Sequence, residues 1–159
     1  MNMRIPNGIA YAVLLAAQTA SASFLFVMVF PIFHQMVTHL GERLALDFSQ
    51  QMSIIVVAGL LHCFYWSRLK WVQVTPPFHS DFVAHVCFFA ARVSFFFAGA
   101  LFSAIFFRHL PELDDLPTFG QIAVKATYVV GSLFGVFCYS LELDRLGKAI
   151  EESPQKSAR

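Results

Sequence analysis

The charged side chains with the most to explain sit among apolar neighbours. Arg92 is the only formal charge between Phe82 and Phe107. That run of roughly 26 residues, at about 1.5 Å each, is long enough as a helix to cross a hydrocarbon core of about 30 Å. A cation inside such a run costs about 2.5–3.5 kcal/mol on insertion scales, so it requires a partner, a wet cavity or a route to the headgroups. Measured from the start of its helix, Arg92 lies about 15 Å deep. Gln18 and Thr19 fall at a similar depth on the first apolar run. Helical side chains lean toward their own N-terminus, so Arg92 leans back toward one face while Glu142, ending the last apolar run, leans into the membrane. The expectation is an intramembrane polar cluster of Arg92, Gln18, Thr19 and Glu142. Three chemistries fit it: a headgroup anchor, a structural Arg92–Glu142 ion pair, or a site acting on an ion or ligand.

The other chemistry-bearing residues are read as structural. Six histidines raise the question of haem, with His62 and His85 near one face and His34 and His109 near the other. His85 and His109 are about 36 Å apart along one helix, too far for both to grip a buried macrocycle. His39 and His79 are loop residues without ligand-type spacing. Cys63, Cys87 and Cys138 lie in apolar runs and form no CxxC, which points to free thiols rather than disulfides or a metal site. The sequence has no GxSxG, no HExxH, no phosphate-binding glycine loop and no close pair of intramembrane carboxylates. The expectation is a non-enzyme with no catalytic, cofactor-binding or metal-binding residues.

The elements that must position these residues follow from composition. Hydrophobic residues make up 57% of the 159 and charged residues 13%, far from the balance of an ordinary soluble domain. A net charge of +1 with scattered cations gives no basic patch for direct nucleic-acid binding. The fold class read from this is all-α: a polytopic membrane protein with four transmembrane helices at about 9–30, 51–66, 82–107 and 119–141. These form one domain over 1–143, and 144–159 is a short charged cytosolic tail.

The basic start and the small residues Ala20–Ala22 resemble a secretory signal, but the apolar run continues through Phe24–Phe30, so it is read as a span. Pro31 predicts a kink or a handover to a shorter segment. Asp47 or Ser49 is placed to cap the second helix, Ser80 or Asp81 the third, and Thr118 with Gln121 has capping-box spacing before the fourth. Trp66 and Trp71 bracket Arg68 and Lys70, the pairing of aromatics and cations expected at a headgroup boundary. Leu143, Leu146 and Ile150 form an apolar stripe on a charged helix that leads into a disordered end.

Orientation follows from counting cations by side. Arg4, Arg68, Lys70, Arg145, Lys148, Lys156 and Arg159 lie on one side, and Arg43, Arg108 and Lys125 on the other. The bias predicts a cell inner-membrane protein with both termini cytosolic, and Glu112, Asp114 and Asp115 outside. On the fourth span Ala123, Thr127, Gly131 and Gly135 recur every four residues, a stripe that predicts close helix packing against the first span or against another copy.

A chain of this size with four spans, cytosolic termini, a charged tail and no catalytic set resembles the membrane subunit of the Kiwa antiphage defence systems. The resemblance rests on this plan and on no residue motif. It implies a subunit that assembles with itself and holds a cytosolic DNA-binding partner at the inner membrane. The functional expectation is a non-catalytic inner-membrane subunit, in contact with lipid, that homo-oligomerises and presents Arg68, Lys70, Arg145 and Lys148 to a cytosolic protein. The alternatives are a small channel or transporter organised around Arg92, and a haem-binding redox subunit.

Overall fold

The computed structural model describes residues 7–39, 47–76, 80–109 and 119–157, which are helical apart from short flanks and contain no strand. Helix α1 spans Asn7–Thr38, α2 Phe48–Trp71, α3 Asp81–His109 and α4 Phe119–Ser157. Three of them, α1, α2 and the Asp81–Ala104 part of α3, are long and apolar enough to cross a membrane. The chain is therefore a helical membrane protein.

The start of α2 has the cause the sequence suggests. The backbone N–H of Asp47 donates to Gln50 Oε1 at 3.4 Å, the reciprocal half of a capping box. The α2 helix stops at Trp71, where Val72 turns extended while its N–H still donates to the Arg68 carbonyl. The Ser80 carbonyl accepts from Ala84 N–H, closing the first turn of α3. Thr118 and the acidic Glu112, Asp114 and Asp115 lie outside the described residues.

Two boundaries differ from expectation. The α1 helix continues through Pro31 to Thr38 with no handover to a second segment. Proline removes one hydrogen bond, and the rest of the ladder carries the helix past it. The segment 144–157 continues α4 without a break past the span end expected near residue 141. The reason is its apolar stripe, because Leu143, Leu146 and Ile150 are all buried.

The helices form a four-membered ring in the order α1–α2–α4–α3. The α3–α4 contact is the most extensive, followed by α1–α2 and α2–α4; α1 touches α3 and α4 lightly, and α2 does not meet α3 among the described residues. Two apolar clusters fill the bundle. One is built on Leu25, Val29, Met36, Ile54, Val57 and Leu101. The other, at the opposite end, contains Tyr11, Ala84, Cys87, Leu146 and Ile150. That second cluster joins the start of α1, the start of α3 and the end of α4, so the helices run alternately up and down. Outward positions carry Phe24, Val27, Phe30 and Phe95, all exposed, as expected of a bundle solvated by lipid.

Candidate functional site

Small residues on α3 let α4 come close. Ala84, Cys87 and Ala91 recur at helical spacing and are buried against it. Ser140 Oγ donates to the Ala91 carbonyl at 2.8 Å, and a Cβ on Gly147 would meet the Phe88 ring at 2.8 Å. These contacts set the register: α4 beyond Glu142 lies beside the first three turns of α3.

The buried polar site forms two residues further along α4 from Ser140, about 3 Å of rise. Glu142 is fully buried and Arg68 is 5% exposed. The Arg68 guanidinium, through Nη2, forms an ion pair with Glu142 Oε2. Tyr11 Oη donates to the other carboxylate oxygen, Oε1, at 3.2 Å. The first, second and fourth helices are thereby joined at one carboxylate. Arg68 Nε has no hydrogen-bond partner among the described residues, and neither side-chain atom of the fully buried Gln18 has one. The site can fix helix register electrostatically; it holds one carboxylate, already shared between two donors, and no nucleophile beside a base.

The predicted polar cluster is therefore only partly assembled, and its cation is a different one. Arg92 is exposed and has no carboxylate partner among the described residues. Ala91 is level with Ser140, so Arg92 shares the depth of Glu142, yet it projects about 100° around the helix from the buried Ala91 stripe. The Arg92–Glu142 pair does not form. Thr19 is exposed and its Oγ1 accepts from Tyr139 Oη at 3.2 Å, a second α1–α4 tie. Arg68, expected on a partner-facing surface, instead turns into the bundle. The sequence carries the signal, since Ile54, Leu61 and Arg68 repeat every seven residues, and so do Tyr11, Gln18 and Leu25 on α1.

The packing stripe is also divided. Gly135 is buried, and a Cβ there would lie 3.1 Å from His62 Cε1. Its neighbour is thus α2 rather than α1. Ala123 and Thr127 are exposed, and a Cβ on Gly131 would meet nothing within 4 Å. Of the cations expected to face a partner, Lys70 and Arg145 are exposed, and Lys148 Nζ pairs with Asp144 at 2.7 Å on the outer face of α4.

The histidines are dispersed. His62 Nδ1 lies 2.8 Å from the Ala58 carbonyl, and His34, His39 and His85 are exposed. No group of three or more metal-type side chains forms among the described residues. The three cysteines are free. One crevice of about 330 Å³ opens between α1, α3 and α4, lined by Phe26, Val29, Phe97, Leu101, Val136 and Tyr139 among others. It is apolar, and Arg92 is not part of its wall.

This arrangement defines a helical membrane bundle knitted, among the described residues, by one buried ion pair. Comparison with protein families, curated proteins and solved structures finds no match to the chain.

Proposed function

We propose that this protein is a non-catalytic inner-membrane subunit with four spans and both termini in the cytosol, which assembles with itself and holds a cytosolic protein partner. The observation that carries the reading is the course of α4. At 39 residues it is about 58 Å long, nearly twice a bilayer core. Its last third docks Leu146 and Ile150 on α1 and α3 and turns Arg145, Lys148, Glu151 and Glu152 outward. A helix held rigidly above a bilayer with its charged face free is a platform for a soluble protein.

The membrane boundary that this reading requires has its own support. Backbone 72–76 is irregular, and lipid-exposed irregular backbone is excluded from hydrocarbon because its N–H and C=O groups lose water. The boundary then falls at the layer of Trp71, Arg68 and Glu142. From Arg68 back to Phe48 is about 30 Å of helix, and from Glu142 back to Phe119 about 35 Å, so α4 serves as the fourth span. Exposed Trp66 and Trp71 with Lys70 form the interfacial belt. The Kiwa likeness supplies the partner class, a DNA-binding protein of an antiphage system.

The test is a pull-down from native membranes with a tag at the C-terminus, paired with impermeant labelling of cysteines placed at Lys70 and Glu112. Co-purification of a soluble protein, lost when Arg145 and Lys148 are both changed to Glu, is the expected result, with labelling from outside at position 112 only. Labelling at 70 from outside, or a chain that retains no partner, would overturn it.

A further inference from the structure

We infer that the outer face of α3 is the self-association surface, pairing in parallel with α3 of a second copy. This rests on the boundary and the self-assembly proposed above. Phe82, Val86 and Phe89 form one exposed stripe, with Phe82 and Phe89 76% and 70% exposed. They occupy the first three turns of α3, which Ser140–Ala91 and Gly147–Phe88 place beside the charged end of α4. That stretch lies level with the irregular 72–76 backbone, whose Val72 and Val74 pack on the cluster of Ala84 and Cys87, and so outside the hydrocarbon as bounded above. Lipid therefore does not cover these rings, and water penalises their exposure by about 25 cal/mol per Å².

The stripe has the geometry of a helix pair. Phe82, Val86, Phe89, Val93, Phe96, Ala100 and Ser103 alternate four and three residues apart, all exposed. An exposed stripe of similar spacing on α1, from Ile9 through Val13 to Val27, starts at the boundary layer and lies in lipid, where it needs no protein cover. On α3 the lower half becomes small, at Gly99, Ala100 and Ser103, and a Cβ on Gly99 would meet nothing within 4 Å, so two backbones can approach inside the membrane.

A second copy is the occupant that fits both halves. Copies share one membrane orientation, so their α3 helices are parallel and in register through water and lipid alike, whereas a soluble partner covers only the upper half. With an aromatic side chain at roughly 200 Å², Phe82, Phe89 and Phe96 supply roughly 400 Å² per copy. Val86, Val93 and Ala100 bring two copies to about the 1,000 Å² that marks a specific interface. Arg92 flanks the seam, beside the stripe and not on it.

The experiment uses the full chain with Cys63→Ala, because Cys63 is the exposed native thiol. Single cysteines are placed at Val86, Phe89, Val93 and, as controls on other helices, Val13 and Phe134. Oxidative crosslinking in native membranes should convert most of the chain to dimer at 86, 89 and 93 and at neither control. Phe82→Glu with Phe89→Glu, both outside the hydrocarbon, should turn the oligomer into monomer on native gels at unchanged membrane yield. An oligomer that persists in that double variant, crosslinking at Phe134 instead, would overturn this surface and leave self-assembly intact. A monomeric wild-type chain would overturn both. Protection of position 89 by a soluble protein, without crosslinked dimer, would refute self-pairing.

Discussion

Replacing Glu142 by Gln tests the buried site directly. The amide keeps the shape and leaves an oxygen for Tyr11 Oη, now 3.2 Å from Oε1. It removes the charge that Arg68 faces, in a place where the guanidinium is 5% exposed and its Nε is already without a partner. Breaking a buried pair from one side costs about 3–5 kcal/mol, because the remaining charge stays desolvated. Arg68→Met alone should cost a similar amount by stranding the carboxylate. The double variant removes both charges and should cost about as much as one single change rather than the sum of two, a coupling of about 3 kcal/mol, the upper end for directly contacting groups. The assay is reversible unfolding in mixed micelles, with Arg92→Met as control. Arg92 is exposed and has no carboxylate partner among the described residues, so its replacement should change stability by less than about 0.5 kcal/mol. Additive losses in the double variant, or a loss at Arg92 equal to that at Arg68, would refute the assignment of the pair.

Two further outcomes follow from packing. Gly147→Ala places a methyl against the Phe88 ring and should destabilise by about 1–2 kcal/mol after the gain in helix propensity is set against it, while Gly131→Ala, facing open space, should stabilise by up to about 1 kcal/mol; the same unfolding assay compares them, and equal effects would contradict the α3–α4 register. Gln18→Leu removes two buried polar atoms that lack partners and should stabilise by about 1 kcal/mol or more, so a loss of stability would show that the amide makes a hydrogen bond essential to the fold.

Composition and run length made the helices and the membrane class legible, since 20 or more apolar residues in lipid have few other solutions. The buried ion pair was not legible from charge and depth alone. Arg92 and Arg68 lie at one level, and what separates them is the angle about the helix axis, which only a periodicity reading of each span reports. Arg68 follows Ile54 and Leu61 at intervals of seven on the buried stripe, whereas Arg92 falls one position off the buried Ala84–Cys87–Ala91 stripe, on the exposed side of α3. The glycine spacing on α4 misled for the opposite reason. Gly131 and Gly135 are on one stripe, but α2 crosses α4 at Gly135 and leaves Gly131 uncovered. Gly147 lies off the GxxxG, and nothing local in the sequence marks it as the tightest of the described glycines.

The ion pair also orders events during synthesis. Arg68 belongs to the second helix and its carboxylate to the fourth, about 70 residues later, so at about 5–20 residues per second the guanidinium waits roughly 4–15 s for Glu142 to be made. Throughout that interval the α1–α2 hairpin carries a cation on its inner face with no counter-charge. Only the arrival of the last helix neutralises it and ties Tyr11 of the first helix to the same oxygen pair. A nascent chain stopped before Glu142 keeps that arginine on the inner face of the hairpin without its carboxylate.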